Sequence, residues 1–102
     1  MTAKNGMRPI HSGEILREEF LVPLGMSANA LSLALRVPAP RINDIVRERH
    51  SVTADTALRL ARYFGTSAEF WLGLQADFDI KMAEAQAGER NEKEIVPMEQ
   101  AA

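Results

Sequence analysis

The sequence of 102 residues contains no cysteine and only two histidines, His11 and His50, which lie far apart along the chain. Disulfide bridges, thiolate zinc sites and a cysteine nucleophile are therefore excluded, and we expect neither a metal site nor a cofactor. Long apolar runs are also absent: none approaches the roughly 18 residues of a membrane-spanning helix, and Met1 to Pro9 lacks the hydrophobic core of a signal peptide. We therefore expect a cytoplasmic protein with no membrane partner.

Sequence signatures of catalysis are missing as well. There is no Gly-x-Ser-x-Gly elbow, P-loop or dinucleotide-binding fingerprint. Asp77 and Asp79 are two residues apart, so on a helix they point to different sides and cannot form an acid–base pair. Glu14 and Glu18 share a helical face with Arg17 among them, which fits a solvated surface. We predict that the protein is not an enzyme.

Strand patterns are nearly absent, whereas signals for helix starts recur along the chain. Ser12, Ser27, Thr53 and Ser67 are placed to cap helices, and Pro38 suits the first turn of another. With 46% hydrophobic and 25% charged residues, the composition is that of one soluble globular domain. The predicted fold is therefore all-α, a compact bundle of five short helices.

The extent of each helix follows from its apolar spacing and its stop signals. Pro23 and Gly25 are expected to end the first helix, and Gly65 the fourth. After about Ala85 the chain becomes rich in Glu, Gln, Ala, Lys and Asn, so we assign residues 1–85 to the domain and 86–102 to an acidic, flexible tail. The inward residues predicted on the second, third and fourth helices are Ala30, Leu31, Ala34, Leu35, Ile42, Ile45, Val46, Ala57, Leu58, Leu60, Ala61 and Phe64.

The net charge of −2 hides an uneven distribution. Residues 36–63 contain six arginines against three acidic residues, a local charge of +3, whereas residues 77–102 contain three basic and seven acidic residues, a charge of −4. Since a phosphate backbone responds to the local charge, the basic central third is the candidate nucleic-acid surface. The acidic end fits either a basic partner or a solvated tail.

Residues 27–46 contain two short helices joined by about three residues. Helices joined so briefly cross steeply, as in a helix-turn-helix. If Ile42 and Ile45 of the second helix face inward, Arg41 and Arg47 on the same helix face outward. Such a helix fits the DNA major groove.

Three sequence blocks resemble one family: RPIHSGEILREEFLVPLGMS at residues 8–27, SANALSLALRVPAPRINDIV at 27–46 and TADTALRLARYFGTSAEFWLGLQ at 53–75. The middle block looks like the helix-turn-helix of the lambda-repressor-like (Xre) class. Together the blocks resemble HigA-type antitoxins, including VapI-like members, over about residues 7–80. The resemblance implies a homodimer that binds double-stranded operator DNA, represses its own operon and neutralises a small basic RNase toxin of the HigB type.

Three residues depart from the usual pattern of this class. Arg36 occupies a turn position where glycine is common, so we expect strained backbone geometry there. Ala28 stands where a glutamine often braces the phosphate backbone, which moves that contact to Ser27 or Asn29. Glu48 replaces a glycine after the third helix and is expected to extend that helix.

Arg41 lies nearest the groove-entering end of the third helix and is expected to read a base such as guanine, while Arg47 contacts a phosphate. Ala39 fits thymine methyl groups, Asn43 fits adenine or a phosphate, and Asp44 fits cytosine. The alternative is a solvated face on which Asp44 pairs with Arg41 and Arg47. The residues predicted to contact DNA are Ser27, Asn29, Pro38, Ala39, Pro40, Arg41, Asn43, Asp44, Arg47 and Arg49, with His50 as a further phosphate candidate.

The fifth helix carries an apolar stripe of Phe70, Trp71, Leu74 and Phe78, which is large for so small a domain. We predict that most of it is core and that part of it forms a dimer interface. A two-fold dimer is also favoured because one short helix reads too few base pairs for useful selectivity.

The sequence is also compatible with two other functions. One is a free-standing transcriptional regulator with no toxin partner. The other is a helical protein-binding module that does not bind DNA, which the residues Arg36 and Ala28 and the two prolines make conceivable. A short basic open reading frame beside the gene would favour the antitoxin.

Overall fold

The computed structural model describes residues 8–99, which form five helices and no strand. Helix α1 spans residues 12–24, and α2, α3, α4 and α5 are Ala28–Leu35, Ala39–Val46, Ala54–Phe64 and Ala68–Glu94. The predicted all-α fold is confirmed. Among these helices none is long and apolar enough to cross a membrane.

Helix α1 changes its hydrogen-bond register along its length. It begins as an α-helix (Ser12–Ile15), widens into a π-helical stretch (Leu16–Leu21) and closes with the turn Val22–Leu24. The wide stretch comes directly before Pro23, which has no N–H to donate and would crowd a regular preceding turn. The helix therefore passes through the proline and ends at Gly25, whose φ of 62° is left-handed.

The start of α1 differs from the prediction. His11, not Ser12, is the N-cap, and its Nδ1 accepts a hydrogen bond from the Gly13 N–H at 2.8 Å. Ser12 is fully buried and its hydroxyl donates to Gln75 instead. The predicted caps of α2, α4 and α5 are confirmed: Ser27, Thr53 and Ser67 each accept from a backbone N–H three residues ahead.

The turns on either side of α3 are left-handed at non-glycine residues. Arg36 has φ 59° and ψ 47°, which confirms the expected strain, and Glu48 has φ 63°. The prediction that Glu48 extends α3 is wrong. The helix ends at Val46, because the positive φ at Glu48 folds the chain back so that the Arg49 N–H bonds the Asp44 carbonyl at 2.8 Å.

The core lies between all five helices. Most predicted inward residues of α2, α3 and α4 are buried or half-buried, but Ala34 and Leu58 are exposed and were wrongly assigned. The side chains on α1 and α5 complete the core around the α3 face. The fully or almost fully buried large apolar side chains are Leu16, Leu31, Ile42, Ile45, Leu60 and Trp71.

Helix α5 continues past Ala85 to Glu94, so it is much longer than the short helix that the sequence predicts. The segment needs no core to be helical, because Ala, Glu, Gln, Lys and Arg have high helix propensity. Residues 95–99 have no regular structure, and the flexibility assigned to the tail stays a prediction. Residues 1–7 and 100–102 lie outside the described part of the chain.

Candidate DNA-binding surface

Helices α2 and α3 form the predicted helix-turn-helix. The connection is three residues long, and its middle residue, Val37, is buried and donates its N–H to the Ser32 carbonyl at 3.0 Å. On α3, Ile42, Ile45 and Val46 face the core, so the remaining faces of the helix look outward. The turn therefore fixes the direction in which α3 projects from the protein.

The residues predicted to contact DNA share this outward side. All of them are exposed or half-buried, and they lie at the start of α2, on α3 and in the loop that follows α3. Asn43 links the first two regions: its Nδ2 donates to the Ala39 carbonyl at 2.9 Å and to Asn29 Oδ1 at 3.2 Å. The residues concerned are Ser27, Asn29, Pro38, Ala39, Pro40, Arg41, Asn43, Asp44, Arg47, Arg49 and His50.

The ion pairs on this surface differ from the expected ones. Arg41 pairs with Asp55 of α4 at 3.4 Å, and Asp44 pairs with Arg49 at 3.9 Å, while His50 Nε2 lies 3.5 Å from the Asp44 carboxylate. The predicted pairing of Asp44 with Arg41 and Arg47 is therefore wrong. The left-handed turn at Glu48 brings the following loop over Asp44, and the start of α4 brings a carboxylate to Arg41.

These ion pairs are weak enough to be exchanged. The Arg41 and Asp55 side chains are 43% and 58% exposed, and pairs of this kind contribute roughly 0–1 kcal/mol. Arg47 is exposed and makes no ion pair within residues 8–99. Arg41 and Arg47 can therefore turn to phosphate oxygens or base edges without breaking a buried network.

The opposite side of α3 is held by residues that sequence reasoning missed. Gly13 lies so close to the carbonyl of Ile45 that a Cβ added there would overlap it. Arg17 donates a hydrogen bond to the Val46 carbonyl and pairs with Glu48 at 3.4 Å. At the end of α3 the Val46 carbonyl takes its hydrogen bond from Arg17, whereas the Ile45 carbonyl accepts from the Glu48 N–H at 2.9 Å and leaves room only for a glycine at position 13. No local signal in the sequence pairs α1 with α3.

The predicted dimer residues of α5 divide into two groups. Trp71 is fully buried, with its Nε1–H donated to Thr66 Oγ1 at 2.8 Å, so it belongs to the core part of the stripe and is not available to an interface. Leu74 and Phe78 are half-buried, and the Phe78 ring packs against His11. Phe70 is 40% exposed and, from the same helix, Ile80 is 57% exposed. The unburied apolar side of α5 thus includes Ile80, which was not predicted.

In residues 8–99, no group of three or more His, Asp or Glu side chains is close enough together to bind a metal ion. His11 is the buried histidine, and loss of water around its ring lowers its pKa. Glu48 and Asp79 act in the opposite direction and are too weak to reverse this. A neutral His11 suits its observed role, because Nδ1 must accept the Gly13 N–H.

Comparison with known proteins shows the family to which the chain belongs. The Helix-turn-helix family (HTH_3) matches residues 16–71, which is more than half of the chain. Virulence-associated protein I of Dichelobacter nodosus is 62% identical over 81 residues, covering 79% of this chain and 75% of that protein. Antitoxin HigA-1 of Vibrio cholerae is 35% identical over 77 residues, covering 76% and 72%.

A solved structure shows the same fold. Antitoxin HigA of Pseudomonas aeruginosa, determined with the higBA promoter, superimposes with a TM-score of 0.87 at 52% identity, over 90% of this chain and all of that one. The chain therefore belongs to the helix-turn-helix family and, within it, to the HigA-type antitoxins with their VapI-like members.

Proposed function

We propose that this protein is a dimeric repressor and antitoxin, which binds the promoter of its own operon through α3 and neutralises a small basic RNase toxin of the HigB type. The observation that carries the proposal is the outward side of α3, where Arg41 and Arg47 are exposed on a helix fixed at both ends. The Pseudomonas relative with the same fold was determined with its promoter. Since operator DNA lies in the cytoplasm, we expect the protein to act there.

In this proposal Arg41 reads a base edge, because it lies in the first turn of α3, the part that enters the major groove. Leaving Asp55 for a base costs little, as both side chains are exposed. Arg47, Arg49 and Ser27 contact phosphates on either side of the groove. The proline-flanked Ala39 meets thymine methyl groups.

The proposed dimer interface is the side of α5 that does not pack against the core of the same chain. Phe70 and Ile80 are exposed there, and Gly73 between them lets another helix approach closely, since nothing lies within 4 Å of a Cβ added to it. Two copies related by a two-fold axis would present two α3 helices to half-sites about one helical turn apart. Leu74 and Phe78 remain at the edge of this interface.

Toxin binding is proposed for the distal part of α5. Residues 77–102 carry the charge of −4, and the acidic side chains from Glu84 to Glu99 are exposed. A basic toxin would be attracted to this segment over about a Debye length. The protein–protein contact then lies far along the chain from the arginines that face DNA.

DNA binding is tested by fluorescence anisotropy with the protein's own promoter and a scrambled duplex at two salt concentrations. We expect specific binding by two protomers per site that weakens steeply with salt, because each phosphate contact releases counterions. Equal binding to the scrambled duplex, or a flat response to salt, would refute the repressor.

The interface is tested by sedimentation of Ile80→Glu, with Ala85→Glu as a control that adds the same charge to another exposed side of α5. We expect Ile80→Glu to be a folded monomer with weakened operator binding, and the control to remain a dimer. A dimer in both variants would place the interface elsewhere.

Toxin neutralisation is tested by co-expressing the chain with the product of any short basic open reading frame found beside its gene. We expect rescued growth and a complex that survives purification. Growth inhibition that the chain does not relieve would favour a free-standing regulator.

A further inference from the structure

The side chain of Gln75 joins α1, α5 and the loop after α3. Its Oε1 accepts hydrogen bonds from Ser12 Oγ at 2.6 Å and from the Val52 backbone N–H at 3.3 Å, and its Nε2 donates to Asp79 Oδ1 at 3.0 Å. The partners fix the orientation of the amide, because a backbone N–H only donates and a carboxylate accepts. Gln75 is 4% exposed, so these bonds are shielded from water.

The loop held in this way carries candidate DNA contacts. Residues 47–52 follow α3, and Arg47, Arg49 and His50 are exposed on them. At the end of the loop Val52 is buried, and its N–H bond to Gln75 ties the backbone of the loop directly to α5. The position of the loop relative to α3 therefore depends on a side chain that is remote in sequence.

We propose that Gln75 is a positioning residue for DNA binding, which holds the 47–52 loop where Arg47, Arg49 and His50 meet the phosphate backbone. The inference rests on the proposed DNA-binding function. Gln75 acts through the Val52 backbone and touches no DNA itself. Without its Oε1, the Val52 N–H has no partner in the core, and the loop moves to let that N–H reach water.

The central experiment compares operator binding of the full chain and of Gln75→Met across a series of salt concentrations. Methionine matches the length of glutamine but offers no strong acceptor to Val52. We expect the slope of log affinity against log salt concentration to become shallower by about one for each phosphate that the displaced loop no longer reaches. The preference for the operator over a duplex changed at one base should stay constant, because Arg41 on α3 keeps its place.

A double variant provides the rescue. Gln75→Glu together with Asp79→Asn reverses the donor and acceptor of the α5 pair but keeps an oxygen that accepts from Ser12 and Val52. We expect it to restore the wild-type salt slope. Thr66→Val is the control for general destabilisation, since it removes the acceptor of Trp71 Nε1–H, which lies near the start of α5 and does not contact the loop.

Amide hydrogen exchange tests the same idea without a variant. We expect the Val52 N–H of the wild-type protein to exchange as slowly as core amides, and faster in Gln75→Met. Rapid exchange of Val52 in the wild type would overturn the role of Gln75. So would an unchanged salt slope in Gln75→Met, or an equal decrease of the slope in Thr66→Val. If the wild-type protein does not bind its operator specifically, the DNA-binding function on which the inference rests is itself refuted.

Discussion

The two sides of α3 are built from different kinds of contact. On the inner side, Gly13 lies against the Ile45 carbonyl, Arg17 donates to the Val46 carbonyl, and apolar side chains are buried. On the outer side, the contacts are exposed ion pairs such as Arg41 with Asp55 at 3.4 Å. The inner contacts depend on close packing, whereas the outer ones are readily exchanged with water or ions.

This difference separates folding from binding. Substitutions on the inner side should change the free energy of unfolding, and binding only through it. Substitutions on the outer side should change DNA binding and leave the stability within about 0.5 kcal/mol. Variants on each side can test this separation, beginning with the largest expected effect.

Gly13→Ala should damage the inner side most. The added methyl group would overlap the Ile45 carbonyl oxygen, which is backbone and cannot move aside alone. We expect a decrease of about 3 kcal/mol in the free energy of unfolding, measured by urea denaturation. Gly88→Ala is the matched control, because its Cβ meets only an ordinary contact at 3.7 Å. Equal stability of the two variants would show that α1 does not hold α3 closely.

Arg41→Ala and Arg47→Ala should change binding alone. Each is expected to cost about 1–3 kcal/mol of operator affinity, since each removes a charged group that meets DNA. The Arg41 variant should lose its preference at one operator position, while the Arg47 variant should weaken on all sequences and show a shallower salt slope. Melting curves must match the wild type. A lower melting temperature for either variant would make the outer side part of the scaffold.

The pH dependence of the free energy of unfolding should reveal the contribution of His11, the N-cap of α1. Burial lowers the pKa of His11, so the unfolded chain binds a proton at a higher pH than the folded chain. The stabilisation is therefore complete above about pH 6.5, the ordinary pKa of histidine, and decreases as the pH falls below it. Denaturation between pH 5 and 8 measures this decrease.

A non-titrating variant isolates the contribution of His11. His11→Asn keeps a side-chain acceptor for the Gly13 N–H but has no proton to gain in this range. The difference between its stability curve and that of the wild type should fall with decreasing pH. A constant difference would mean that His11 does not set the pH dependence.

Arg36→Gly should have a small effect of the opposite sign. Arginine is strained at φ 59° and ψ 47°, and glycine is not, so we expect a gain of about 0.5–1 kcal/mol in stability. Operator affinity should be unchanged if Arg36 is outside the contact surface. Glu48→Gly should gain less, because it also gives up the pairing with Arg17.

The parts of the fold that sequence predicts well are those set by neighbours along the chain. Ser27, Thr53 and Ser67 cap their helices because a hydroxyl reaches an N–H only three residues ahead. Gly65 stops α4 because it alone in that stretch adopts φ 74° without strain. Such signals give five helices and the helix-turn-helix.

The missed features depend on distant residues or on competition between local preferences. Ser12 matches a cap pattern, but Gln75, far along the chain, takes its hydroxyl into the core. Arg41 finds its carboxylate on α4, which no spacing on α3 indicates. The composition after Ala85 predicts a flexible tail because few residues there can be buried, whereas helix propensity alone is enough to continue α5 to Glu94.

On the inner side of α3, Gly13 and Arg17 contact main-chain carbonyl oxygens, and every amino acid has such an oxygen. The outward positions of α3 can therefore change identity while the same framework continues to support them. Related chains could diverge in the operators that they recognise through a few outward substitutions, without any new solution to folding. In this scaffold the fold can therefore stay constant while the DNA sequence that it recognises changes.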